Sequence, residues 1–243
     1  MYNYRIFDSI NDECESLWKN AKQDSQLTLT FFQDFDFIKE VSKANNTDLK
    51  IVFIFKDEKI ILILPLEIKK YYFFRVLQWA GTGYSDFCNA IFSLKYKSDL
   101  NKEDFLELWK KILLKIGRYD VIYFNNQLSN IENLDNPFVK FFKTSKFSLV
   151  YKINLNGEFS DYKSEIQNKD KKHFYELHRT ILKQKNLEEQ AKVQFKVTNS
   201  ITDNFKIESH ILQKRKQLTK KGTKNNLSEV FINIFDNLIK QKK

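Results

Sequence analysis

Apolar residues along the first half of the chain recur in two rhythms, one at helical spacing and one in short near-continuous runs. Tyr4 to Phe7 reads as a short strand. Glu13 to Ala21, with Leu17 and Trp18, reads as a helix. So does Asp34 to Ala44, where Phe35, Phe37, Ile38 and Val41 form an apolar stripe. Leu49 to Phe55 and Lys59 to Ile68 are β-rich runs joined by the polar turn Lys56-Asp57-Glu58, which predicts a hairpin. A second turn, Lys69-Lys70-Tyr71-Tyr72, leads to a third strand, Phe74 to Trp79.

Cys88 to Phe92 reads as a further short strand. Lys102 to Ile116 is amphipathic through Phe105, Leu106, Trp109, Ile112, Leu113 and Ile116, and Gly117 stands where a helix C-cap glycine belongs. Tyr119 to Phe124 reads as a buried-type strand. Asn136-Pro137 opens a short helix to Lys143, with proline at its favoured first position. Phe147 to Leu155 closes this half as a strand. The order predicts an α/β protein of α+β type, a mixed central sheet with helices on its faces.

Beyond residue 157 the character changes. Tyr162, Ile166, Phe174, Leu177, Ile181 and Leu182 mark one helical stripe over 158–186, surrounded by Lys163, Lys169, Lys171, Lys172, Arg179, Lys183 and Lys185. Val193 to Val197 alternates like a strand. Helices are predicted at Asp203 to Lys220 and Leu227 to Lys240, joined across Gly222. The domain expectation is therefore 1–156, a basic connecting segment at 157–190, and the opening of a second domain at 191–243.

Charge sharpens that division. The net charge is +10; residues 1–150 hold 21 Lys+Arg against 20 Asp+Glu, and residues 151–243 hold 20 against 11. The second half suits an anionic ligand or surface. Nucleic acid is a third-ranked partner, because no reading motif or aromatic platform accompanies the lysines. Five glycines and two prolines predict long regular elements, and 23 Phe with 11 Tyr supply ample core. No apolar window suits a transmembrane helix, and the N-terminus is not a signal peptide. Cys14 and Cys88 make no disulfide framework, so a reduced, cytoplasmic protein is expected, at most peripheral to a membrane.

Candidate chemistry concentrates in Leu77-Gln-Trp-Ala-Gly-Thr-Gly-Tyr-Ser-Asp-Phe87. A Gly-x-Gly after a strand suggests a phosphate cradle, but a third glycine, a lysine and a following helix are all missing. Gln78 stands three residues before Gly81, the spacing of an acyl-CoA loop, again without the helix. Two readings remain. Gly81 and Gly83 supply positive φ at a tight strand exit while Trp79 packs in the core. Alternatively Tyr84, Ser85 and Asp86 face a cleft, where an aspartate orients an acceptor or takes its proton. His173 and His178 lie about 140° apart on a helix, so they do not form a metal pair. No metal is expected, and neither cysteine has an obvious base.

The succession "TFFQDFDFIKEV", "LKIVFIFKDEKIILILPLEIKK", "RVLQWAGTGYSDF" and "YDVIYFNN" resembles the CelD-like acyltransferases of cellulose biosynthesis. These are also grouped as BioF-like acetyltransferase-domain proteins of the GNAT superfamily, and share a tandem-domain plan with the Fem aminoacyltransferases. The resemblance implies a GNAT-like N-terminal domain, a basic connecting helix, and a second GNAT-like domain that this chain holds only in part. It implies acyl transfer from acetyl-CoA or another acyl-CoA to an amine or hydroxyl, in polysaccharide or envelope synthesis. Asp86 and Tyr84 are the candidate catalytic residues, and Ser85, Trp79 and Arg215 the candidate substrate-binding ones. Arg215 matches the arginine of a family patch whose histidine and tryptophan are absent here. A non-catalytic binding or assembly module is the alternative, and a nucleic-acid-binding protein the second alternative.

Overall fold

A computed structural model describes residues 2–24, 27–28, 30–45, 47–94, 100–131, 134–144, 158–190, 216 and 229–241. The chain is mixed α/β. Its main sheet has the order β1 (Tyr2–Phe7), β2 (Asp48–Lys56), β3 (Lys59–Tyr71), β4 (Phe74–Trp79), β6 (Val121–Tyr123), and β5 (Ile91–Phe92) pairs with β3. Neighbours are antiparallel except β4 and β6, which are parallel with helix α3 (Lys102–Lys115) between them in sequence. Strand β3 is long because it serves two partners: Leu66 to Tyr71 pair with β4, and Leu62 and Ile63 with β5. A two-stranded ribbon, β7 (Asn130–Ile131) and β8 (Leu134–Asp135), lies outside the main sheet.

The two faces of the sheet bury separate clusters. Val52, Ile54, Leu64, Leu66, Leu77 and Trp79 pack with Phe105, Trp109 and Ile112 of α3 and with Phe138 of α4 (Pro137–Phe141). Ile51, Phe53, Phe55 and Ile63 pack with Trp18 of α1 (Asp12–Asp24) and with Phe37, Ile38 and Val41 of α2 (Phe35–Asn45). Alternate residues of β2 and β3 thus enter opposite cores, which is why both strands read as unbroken apolar runs. The expected caps are present. Gly117 follows α3 with φ +112°, and the Asn136 side chain accepts the Phe138 N–H at 3.0 Å.

Three expectations need correction. Tyr119 to Phe124 was read as a buried-type strand; β6 is three residues long and exposed throughout, because it lies at the edge of the sheet. The single helix over 158–186 is two, α5 (Phe159–Lys169) and α6 (Lys171–Glu189). Asp170 leaves helical geometry at φ −147° and accepts the His173 N–H at 3.0 Å, ending one helix and capping the next. Leu182 is exposed, outside the half-buried stripe of Tyr162, Ile166, Phe174, Leu177 and Ile181.

The chain forms two compact units, Met1–Ser145 with Lys206–Lys243, and Lys146–Phe205. Helix α7 (Glu229–Gln241) packs on α2 of the first unit. Ile234 and Leu238 are buried there, Phe235 stacks on Phe31, and the Asn237 amide donates to Glu40 at 3.0 Å. The predicted strands at 147–155 and 193–197 lie outside the described residues, as does all of the helix at 203–220 except Lys216.

Candidate functional site

Strand β4 ends in consecutive turns. The N–H groups of Ala80, Thr82 and Tyr84 donate to the carbonyls of Pro65, Trp79 and Gly81, and that of Cys88 donates to Asn126. These four N–H groups are therefore not among those a phosphate cradle would converge on open space. Gly81 and Gly83 have φ of +84° and +96°, as the strand-exit reading expects. Asn89 secures the loop from behind: its side-chain oxygen accepts from the Leu128 N–H at 2.9 Å and the Asn136 amide at 3.2 Å.

The predicted site residues do not converge. Trp79 is a core residue, its ring centroid 4.7 Å from that of Phe124 and edge-on to Phe138. Ser85 is buried, Tyr84 is half-buried against the α1/α2 core, and Asp86 is exposed. Arg215 lies outside the described residues. Burial pushes the Cys88 thiol up to about 11, opposed by hydrogen bonding from Thr82 and Ser85. Burial, with Glu13 and Glu15 nearby, pushes Cys14 up to about 12. Neither thiol is a nucleophile at neutral pH.

A cleft of about 460 Å³ opens instead on the face of β4 and β6 that α1 and α2 cover elsewhere. Tyr71, Phe74, Val76, Gln78, Thr82, Val121 and Tyr123 line it. Register explains the set. Val76 pairs with Val121 and Gln78 with Tyr123, so alternate residues of two parallel strands share one face. Of the glycine loop, Thr82 reaches this lining and Tyr84, Ser85 and Asp86 do not.

Beside Gln78, on the neighbouring strand, lies a carboxylate that sequence reasoning missed. Glu67 is fully buried, and its two oxygens accept from Gln78 Nε2 at 2.7 Å and Thr47 Oγ1 at 2.8 Å. Burial raises its pKa, and the bonds from Gln78 and Thr47 and the charge of Lys69 only partly offset this. With its N–H₂ committed to Glu67, Gln78 presents its carbonyl oxygen, which accepts from the Tyr71 hydroxyl at 3.2 Å. The cleft is thus aromatic-walled with an oriented amide at its floor. The available signal was one acid in the run Ile60 to Ile68, which is otherwise apolar.

His173 and His178 are exposed on α6. Among the described residues no group of three or more His, Cys, Asp or Glu is placed to hold a metal ion. No described helix is long and apolar enough to cross a membrane. No family model matches this chain, and no curated protein and no solved structure matches it either.

Proposed function

We propose that this chain is a GNAT-type acyltransferase module that moves an acyl group from an acyl-CoA to an amine or hydroxyl acceptor, in polysaccharide or envelope synthesis. The observation that carries the reading is the cleft on the parallel β4–β6 pair. Ligands of open α/β sheets collect beside parallel strands near their carboxyl ends, where Gln78 and Thr82 sit. Its volume suits a small-molecule site, and its aromatic walls suit an extended, largely apolar arm. In such a reaction the acceptor attacks the thioester carbonyl directly, loses its proton to a base or water, and the thiol leaves. Asp86, exposed on the loop after β4, is the acid this reading assigns to that proton.

A second reading, a non-catalytic binding module, draws on one observation. None of the seven residues lining the cleft is a carboxylate, histidine, cysteine or lysine, and Glu67 is fully buried outside that lining. Calorimetric titration separates the two. The acyltransferase reading expects binding of acetyl-CoA or a longer acyl-CoA, weakened about tenfold by Tyr123→Ala, which removes an exposed aromatic wall of the cleft. No heat at millimolar ligand removes the acyl-CoA reading. Binding without turnover of any amine or hydroxyl acceptor selects the binding module.

A further inference from the structure

The two hairpins that flank β3 have opposite turns. At β2–β3 the last pair is Lys56 with Lys59, and the turn residues Asp57 and Glu58 are polar, with φ of +47° and +64°. At β3–β4 the last pair is Tyr71 with Phe74, and the turn residues are Tyr72 and Phe73. Both are 92% exposed, with Phe74 at 58% and Tyr71 at 40%. Tyr72 has φ +54°, a position that turn chemistry gives to glycine or asparagine. A bulky ring there strains the turn and, 92% exposed, gains little burial among the described residues, so folding alone does not account for it.

Cations surround the rings. Lys69 holds its ammonium 5.4 Å from the Tyr71 ring centroid, Lys70 is exposed, and Arg75 closes the segment Lys-Lys-Tyr-Tyr-Phe-Phe-Arg. Asp120 donates its N–H to the Arg75 carbonyl at 2.8 Å, so the stretch entering β6 runs beside this hairpin with Arg118 exposed on it. The acids nearby are already engaged: Asp120 accepts the Arg75 N–H at 2.8 Å, and Asp48 lies 2.9 Å from Lys50 and 3.8 Å from Arg75.

We propose that the β3–β4 hairpin tip is a membrane-docking element that inserts Tyr72 and Phe73 into the interface of an anionic bilayer, with Lys69, Lys70 and Arg75 at the headgroups. Aromatic rings beside cations match the interfacial zone, where rings sit at headgroup level and basic residues meet anionic lipid. A convex two-residue tip buries both rings in a compliant bilayer, whereas a protein partner must supply a matching concavity. The inference goes beyond the acyl-transfer reading and does not depend on it.

Vesicle flotation of the full chain tests it, using phosphatidylcholine with and without phosphatidylserine. Wild type is expected on the anionic vesicles. Tyr72→Ser combined with Phe73→Ser lowers partitioning about tenfold or more through lost apolar burial. Lys69→Gln combined with Lys70→Gln lowers it about fivefold per charge. Because the basic second half also attracts anionic lipid, a Tyr72→Trp variant locates the contact: brominated acyl chains quench it, while native Trp18, Trp79 and Trp109 are buried. Failure of wild type to bind anionic vesicles, or an unquenched Tyr72→Trp variant, overturns the proposal. So does unchanged vesicle binding by the double serine variant accompanied by a smaller oligomer, which assigns the tip to self-association.

Discussion

Gln78 donates its amide to Glu67 at 2.7 Å, and the two are direct cross-strand partners in the β3–β4 ladder. Both side chains are buried, Glu67 at 0% and Gln78 at 1% exposure. A buried acid with a raised pKa holds its proton more tightly folded than unfolded. Its favourable contribution is present below the ordinary carboxylate range and is lost as pH rises through the folded value. Thermal stability is therefore expected to fall as pH rises from the ordinary carboxylate range through the raised folded value, and Glu67→Gln is expected to flatten that slope. Melts across a pH series check it. Glu67→Leu is expected to cost about 1–3 kcal/mol for each donor left unpaired, Gln78 and Thr47, as measured by urea unfolding.

The glycines of the loop give a differential prediction. A Cβ on Gly81 meets Ser85 Oγ at 3.0 Å and Phe37 at 3.4 Å, whereas one on Gly83 meets nothing within 4 Å. Both positions have positive φ, so each alanine carries a backbone cost of about 1–2 kcal/mol. Gly81→Ala is expected to destabilise more than Gly83→Ala, by the added cost of displacing Ser85. Chemical denaturation of the two variants ranks them.

Trp79 is a packing residue, 1% exposed and surrounded by Phe124 and Phe138. Trp79→Ala is expected to cost about 3–5 kcal/mol of folding stability. A Trp79→Phe variant should recover most of that stability. Equal loss in both variants would argue against packing as the role of this ring.

Helix α7 stabilises the first unit through its contact with α2. Ile234→Ala is expected to cost about 2–5 kcal/mol, because the side chain is 1% exposed. Asn237→Ala removes the bond to Glu40 and is expected to cost about 1–3 kcal/mol. Faster amide exchange in α2 in both variants is the local signature to measure.

Asp86 is exposed, so Asp86→Asn is expected to leave the folding stability unchanged within about 0.5 kcal/mol. If it takes the acceptor's proton, the same variant lowers turnover of an acyl-CoA about a hundredfold or more. Unchanged turnover removes Asp86 from the reaction.

Most elements were legible because their signals are local. The turn Lys56-Asp57-Glu58, the glycine after α3 and Asn136-Pro137 before α4 each act within a few residues, and each appears where predicted. Absence of a helix after Gly83 was legible too, and the bonds made by the Thr82 and Tyr84 N–H groups withdraw two loop donors from a phosphate cradle. The burial of 119–124 was not legible. Apolar content in Val121-Ile122-Tyr123 is the same for a central and an edge strand, and sheet order alone separates them. Tyr84, Ser85 and Asp86 were grouped by adjacency, yet successive turns send neighbours to different environments: one half-buried, one buried, one exposed.

By itself the sequence determined the strands, the helices and the turns between them, because period, caps and turn residues act over short range. It also determined two core faces, since β2 and β3 carry apolar residues toward both layers, with Lys50 and Glu67 the buried charged residues among them. Tertiary structure decided what lies across from what. Glu67 and Gln78 are eleven residues apart and meet only because the hairpin register ends at Tyr71 and Phe74. The parallel pairing of β4 with β6 made a cleft from residues more than forty positions apart, and α7 found α2 across nearly the whole chain. Local propensity carries no information about such partners; packing and register over long loops supply it.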